Sequence, residues 1–392
     1  MENKILLSII IPTKDRHFYL EKCLKSLLEI EGKNYEIIVN DNSGIKFKSS
    51  LVNNTKIKYF HTNEFLTITQ NFSSALDKSS GEYVSFIGDD DGINPFILKY
   101  VNFCKINNLD AGVGNVASKF IWKDVNYNLY GKKLSGILRL GKITNYFEFP
   151  NIKNELIKCA KNSVEGFGKL PKSYHGFVKR KVFNDIKLKY NSYFTGPTPD
   201  MSSSIAISLT IKKYVYFDYP IFIPGTGSNS GGGAGTRHEH NWRFEKIKWI
   251  SDQFKNDWDI YSPKYASGIT IWAECYLQTC KKINPNFLKH FNYNRYFSRL
   301  IIFDRNHKKS ISKSIALFKR NMNYISRLLF NLQLLANVIK AIIKRLNAVL
   351  NNILLIIDLN PFYQTVKNLN DIHECILKFK KIVKAKNIKI NE

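Results

Sequence analysis

Near the start of the chain, apolar positions come in short unbroken runs, each closed by a polar loop. Residues 5–11 (ILLSIII) are almost continuously apolar, the signature of a strand buried on both faces of a parallel sheet. Pro12-Thr13-Lys14-Asp15-Arg16 ends that run, and Tyr19, Leu20, Cys23, Leu24, Leu27 and Leu28 then recur at helical spacing. Residues 35–39 predict a second strand, closing in Asn40-Asp41-Asn42-Ser43-Gly44, and 57–60 a third. Residues 65–76 predict a helix with Thr67 or Thr69 near its start. Residues 83–87 form another apolar run, bounded by Gly81 and Gly88 and followed at once by Asp89-Asp90-Asp91. A helix starts near Pro95. Strands alternating with helices over short connections predict a doubly wound, mostly parallel α/β sheet.

Past residue 100 the pattern loosens. Residues 111–117 predict a strand, 120–170 are aromatic, Lys-rich and loop-like, and 173–178 predict another strand. The turn 196–200 leads into a helix over 201–211, with Asp200 at its N-cap or first turn, where the helix dipole favours a carboxylate. Residues 215–223 predict a strand broken by Pro220. Residues 225–236 are too glycine-rich for regular structure, and His238-Glu239-His240 follow. From Ile311 to Ile357, apolar residues spaced by alternating threes and fours form a long seam, in one helix or several. Pro361 marks a stop.

Charge changes this picture at the C-terminal end. The chain has 392 residues and a net charge of +27, and residues 286–392 hold 20 Lys and Arg against 5 Asp and Glu. Such a basic amphipathic stretch suits an anionic membrane surface, a second copy of the chain, or packing on the rest of the protein. Nucleic acid is not expected, because no reader motif accompanies the charge. Six scattered cysteines without paired spacing suit free thiols in a reducing compartment. The apolar run at 6–11 is too short for a leader, and no window of about 18 residues is uninterruptedly apolar, so no spanning helix is expected.

Three adjacent carboxylates at a strand end repel one another unless a cation sits among them. Oxygen ligands on a short loop suit Mg²⁺ or Mn²⁺ shared with substrate phosphates, and a solvated acidic turn is the plain alternative. Neither a GxGxxG nor a P-loop motif is present.

Leu7-Ser8-Ile9-Ile10-Ile11-Pro12-Thr13-Lys14-Asp15-Arg16, Glu36-Ile37-Ile38-Val39-Asn40-Asp41-Asn42-Ser43 and Gly81-Glu82-Tyr83-Val84-Ser85-Phe86-Ile87-Gly88-Asp89-Asp90-Asp91 together resemble the family-2 glycosyltransferases of GT-A fold, in order and spacing as well as in motif. The resemblance is strongest before residue 100, continues more weakly over 170–225 and ends by 245. It implies a GT-A (nucleotide-diphospho-sugar transferase) fold with a mostly parallel doubly wound sheet, plus a basic amphipathic α-helical C-terminal region. It also implies inverting transfer of a hexosyl or N-acetylhexosaminyl group from a UDP-sugar with Mn²⁺ or Mg²⁺.

By the resemblance, Pro12, Thr13 and Asp15 lie at the nucleotide-binding end of the first strand, and Asn71 approaches the nucleotide. Asp41 accepts from the base or ribose. The family commonly has two acidic residues where this chain has Asn40-Asp41-Asn42, so a one-residue slip stays open. Asp91 is the expected metal ligand, with Asp89 or Asp90 on the ribose or the metal; which pair holds the ion stays open. The family's catalytic base opens a later helix. Asp200 fits that place, against the plain reading of an N-cap. His175 is a candidate for the acceptor side. His238 or His240 is a candidate third metal ligand when the glycine loop closes.

The expected organisation is a catalytic domain over 1–240 (donor half 1–115, acceptor half 116–240) and a connecting helical region over 241–305. Residues 306–392 would form a basic region for membrane association or oligomerisation. The acceptor implied is a lipid-linked or growing surface glycan, such as a capsule or O-antigen precursor. The expected location is cytoplasmic, peripheral at the inner face of a bacterial cytoplasmic membrane. A nucleotidyltransferase on the same scaffold and a non-catalytic membrane scaffold are the rival readings.

Overall fold

The strand Leu7–Thr13 is buried at all seven positions, and so is its parallel neighbour Tyr35–Asp41. The computed structural model that shows this describes residues 4–231 and 242–385. Alternate residues of the two strands feed opposite cores: Ile9, Ile11, Ile37 and Val39 pack on one side, Ile10 and Ile38 on the other. An apolar run without polar alternation is what such two-sided burial requires.

These two strands sit within an eight-stranded sheet. Its order is Ile57–His61, Tyr35–Asp41, Leu7–Thr13, Tyr83–Phe86, Gly176–Lys179, Ala111–Gly114, Tyr214–Phe217 and Phe147–Glu148. The first four run parallel. Gly176–Lys179 is antiparallel to both neighbours, and Phe147–Glu148 is antiparallel to Tyr214–Phe217. Helices cover both faces, as expected of a doubly wound sheet.

Local signals place the helices. Thr67 and Gln70 form a reciprocal capping box at the start of Ile68–Asp77. Pro199 occupies the first turn of Pro199–Thr210, where its missing N–H costs nothing. A second, largely helical core gathers Leu156, Met201, Tyr276, Phe297 and Phe330 from segments far apart in sequence.

Three expectations need correction. The 120–170 stretch is structured, with strands Lys119–Ile121, Ile137–Leu140 and Phe147–Glu148 and the helix Ile152–Lys161. Strands of two to four residues are too short to show a period. The seam from Ile311, left open as one helix or several, is two helices, Lys308–Lys319 and Tyr324–Ile356, the second capped by Asn323 accepting from the Ser326 N–H. Against the expectation of no spanning helix, that second helix is long and apolar enough to cross a membrane by length and composition. Isolated Lys and Asn residues hide this from a search for an uninterrupted run.

Residues 306–392 also do not stay together as one unit. Gln364–Val366 pairs antiparallel with Ile137–Leu140. The helix Ile372–Ala385 then packs its buried Ile372, Cys375, Ile376 and Phe379 into the core that also holds Tyr19, Leu20 and Ile93. Ion pairs from Lys380 to Glu29 and Glu31 fasten it there.

Candidate functional site

The carboxyl ends of Leu7–Thr13 and Tyr35–Asp41 lie in register, Thr13 beside Asp41, and the Gly88–Asp91 turn joins the same edge. In open α/β sheets this is where ligands bind. A cavity of about 1170 Å³ opens there and runs to the helices Gly268–Ile283, Tyr293–Phe303 and Tyr324–Ile356.

Asp90 and Asp91 line this cavity, whereas Asp89 lies behind it. The Thr13 hydroxyl donates to Asp89. Arg16 grips the Asp89 carboxylate through both oxygens, with Nη2 at 2.6 Å from Oδ1 and Nε at 3.1 Å from Oδ2. Asp90 accepts from the Gly227 N–H at 3.0 Å and lies 3.8 Å from Arg16 Nη1. Asp91 accepts from the Gly88 and Gly225 N–H groups, each at 2.7 Å, and from His175 Nε2 at 2.7 Å. Glycine is required at 225, since a Cβ there would sit 1.7 Å from the Asp90 carbonyl oxygen.

The three carboxyls are not equivalent. Burial raises the pKa of Asp90, against the pull of Arg16. For Asp91 burial works the same way, but His175 and the two N–H donors outweigh it and hold the carboxyl below its ordinary value. Burial pushes Asp89 up to about 7 from its ordinary 3.8; Arg16 opposes this, and Asp90 adds to it. Between those two values the folded chain keeps a proton that the unfolded chain has lost. Stability contributed by Asp89 is therefore present at low pH and falls as pH rises through about 7. In cation-free buffer, Asp89→Asn is expected to flatten the fall in melting temperature between about pH 5 and about pH 8. Equal slopes in the parent and the variant would count against this charge assignment.

Asp200 is the second residue of Pro199–Thr210 and faces the same cavity. Its Oδ1 accepts from the Thr198 hydroxyl at 2.6 Å. Tyr174 lines the same cavity: burial raises its hydroxyl pKa well above the usual range, and the charges of Asp91, Asp90 and Asp200 add to that. The Tyr174 hydroxyl also donates to Asp91 at 3.4 Å. His175 takes a left-handed backbone, φ 56°, as it turns toward Asp91. Such strain is typical of sites where the surrounding structure dictates the conformation.

The structure therefore brings Pro12, Thr13, Asn71, Asp90, Asp91, His175 and Asp200 to one cavity. Asn71 is fixed by donating to the Thr13 carbonyl and accepting from Asn40. Asp15 and Asp41 do not line the cavity. Asp41 is fully buried and accepts from His17 at 2.9 Å, Tyr59 at 2.7 Å and the Ser43 N–H at 3.0 Å. Asp15 is exposed and binds the next loop through Ser43 and Gly44. Both act here as loop supports. His238 and His240 lie outside the described residues. Sequence reading passed over Arg16 and Tyr174 as site residues. Arg16 is the last residue of the first strand-end motif, and Tyr174 directly precedes His175.

Among the described residues no three His, Cys, Asp or Glu side chains converge as a ready-made metal site. Asp91 and Asp90 are the carboxylates that could hold a divalent ion, since Mg²⁺ and Mn²⁺ commonly take one or two carboxylates and complete their shell with substrate phosphates and water. Both carboxylates face the cavity, Asp91 paired with His175 and Asp90 3.8 Å from Arg16, so an ion there would share them with these partners.

The family model for glycosyl transferase family 2 matches residues 8–161. A GalNAc(5)-diNAcBac-PP-undecaprenol beta-1,3-glucosyltransferase of Campylobacter jejuni is 38% identical over 91 residues, covering 22% of this chain and 29% of that protein. The match thus spans less than a third of that relative. An uncharacterized glycosyltransferase of Haemophilus influenzae is 30% identical over 173 residues, covering 39% of this chain and 69% of that protein. Among solved structures, S. aureus TarS 1-349 in complex with UDP-GlcNAc aligns over 81% of this chain and 93% of that chain, with 12% identity and a TM-score of 0.45.

Proposed function

The chain belongs to glycosyl transferase family 2, and we propose that it is an inverting glycosyltransferase acting on a UDP-sugar and a lipid-linked or growing surface glycan. The observation that carries this reading is that Asp90, Asp91 and Asp200 all line one cavity. In this reading the acid pair serves the leaving-group end and Asp200 is the base.

Asp200 removes the proton from the acceptor hydroxyl as its oxygen attacks the anomeric carbon. The bond from that carbon to the diphosphate oxygen breaks on the opposite face, so the configuration inverts. Thr198 orients the Asp200 carboxylate by donating to Oδ1. Asp91 and Asp90 would hold the cation, and Arg16 keeps Asp89 neutralised behind them. A divalent cation supplies charge neutralisation of the leaving diphosphate without proton transfer. Pro12, Thr13 and Asn71 form the nucleotide side of the cavity.

A lipid-linked acceptor is supported by the name of the Campylobacter relative, which carries PP-undecaprenol. Work at the inner face of the cytoplasmic membrane follows from that acceptor. The test is a screen of UDP-sugars with Mn²⁺ or Mg²⁺. A true donor raises the melting temperature by mass action and is turned over with release of UDP. Release of pyrophosphate would instead establish nucleotidyl transfer, and no response to any nucleotide sugar would sink the donor site.

A further inference from the structure

The arm of the cavity lined by the helices Gly268–Ile283, Tyr293–Phe303 and Tyr324–Ile356 has a different chemistry. Trp272, Ile302 and Phe303 give it an apolar wall, and Arg299, Arg305, Lys344 and Arg345 give it four cations. Two carboxylates share this arm. Asp304 is occupied, accepting from the Tyr265 hydroxyl at 2.9 Å and the Ser267 hydroxyl at 2.7 Å. Glu165 is divided among Lys344 at 2.7 Å, Arg295 at 2.9 Å and Arg299 at 3.9 Å. Among the described residues, neither Arg305 nor Arg345 has a carboxylate partner; Arg345 lies over the Phe303 ring at 6.0 Å. An excess of cations beside an apolar wall suits an anionic group carried on an apolar chain.

Lys344 and Arg345 belong to Tyr324–Ile356, and the rest of that helix says where such a chain would come from. Leu332, Leu335, Ile339, Leu346 and Leu350 are each at least 50% exposed, while Phe330, Ala341 and Leu355 are buried against the protein. At 3.6 residues per turn the exposed apolar side chains fill an arc of about 140° opposite the packed face. Lys340 borders this arc on one side, and Arg327 and Arg345 on the other. The helix contains no Asp or Glu. An apolar stripe edged by cations alone is the pattern of a helix lying in an anionic lipid interface. A second copy seated on the same stripe would bring like charges together.

We propose that this arm binds the phosphate groups of a lipid-borne acceptor, which the Tyr324–Ile356 helix meets by lying in the anionic membrane surface. The proposal rests on the glycosyl-transfer reading and adds where the acceptor is held. The lipid tail stays with the exposed stripe, the phosphates meet Arg305, Arg345 and Arg299, and the sugar reaches Asp200. Because Arg305 and Arg345 are exposed, their replacement leaves the core intact.

The probes are farnesyl diphosphate, farnesol and inorganic pyrophosphate, titrated against the full chain, with UDP as a separate measure of the donor end. Farnesyl diphosphate is expected to bind without displacing UDP, and at least about tenfold more weakly to Arg305→Ala/Arg345→Ala. Farnesol and pyrophosphate should each bind more weakly than farnesyl diphosphate. Equal binding of pyrophosphate would make this a free-phosphate site and overturn the lipid assignment. Displacement of UDP, or equal affinity in the double variant, would overturn the location. In a second arm, the protein should co-sediment with phosphatidylglycerol-containing vesicles and not with pure phosphatidylcholine, and Leu332→Glu/Leu346→Glu should abolish co-sedimentation. Dimerisation lost in that variant, without vesicle binding in the parent, would assign the stripe to a second copy. Failure of UDP to bind at all would count against the glycosyl-transfer reading rather than this site.

Discussion

Asp200→Asn is expected to bind donor nucleotide as the parent does and to transfer sugar about 10²- to 10⁴-fold more slowly. Asn matches Asp in shape and can still accept from Thr198, so the start of Pro199–Thr210 keeps its hydrogen bond. What is lost is the ability to take a proton. The competing view is that Asp200 merely favours the helix N-terminus, a contribution of about 0.3–1 kcal/mol. That view predicts a small drop in melting temperature and near-normal turnover. Turnover within a few-fold of the parent, with unchanged UDP affinity, would remove Asp200 from the chemistry.

Asp91→Asn is expected to lower kcat/KM by about 10²- to 10³-fold and to abolish the dependence on divalent cation. The position has two functions. Asp91 faces the cavity, and it receives the Gly88 and Gly225 N–H groups together with His175. The Gly225 N–H uses one carboxylate oxygen and the Gly88 N–H and His175 the other, so an amide, with a single oxygen, gives up part of this set together with the charge for a cation. Melting curves separate the two effects. The extra stabilisation by Mn²⁺ with UDP should vanish, while that by UDP alone should persist. If Mn²⁺ still stabilised the variant as it does the parent, the ion would have to be placed elsewhere.

The central strands were readable because their chemistry is local. Leu7–Thr13 and Tyr35–Asp41 are apolar runs buried on both faces, and each ends in a polar loop that lands on the same sheet edge. Thr67 with Gln70, and Pro199 with Asp200, likewise carry their signals within a few residues. Direction was harder to read. Asp41 could be placed at a strand end, but nothing nearby in sequence says that Tyr59 and His17 turn its carboxylate inward. The same limit hid the basic arm of the cavity. Glu165 meets Arg295, Arg299 and Lys344 across 130 or more residues, through packing that no local period encodes. The membrane reading of the basic C-terminal stretch treated it as one unit because charge and seam are visible there, whereas pairing of Gln364–Val366 with Ile137–Leu140 is not.

That late return has a consequence for the order of assembly. The core beneath the acid turn is completed by the helix Ile372–Ala385, whose Ile372 and Ile376 crowd against Gly92, the residue that follows Asp91. During synthesis the first strands emerge early, yet they wait for residues translated more than 270 positions later before that side is sealed. Contacts this distant close large loops and form slowly. Until Ile372–Ala385 has been translated, that side of the core beneath the acid turn stays uncovered.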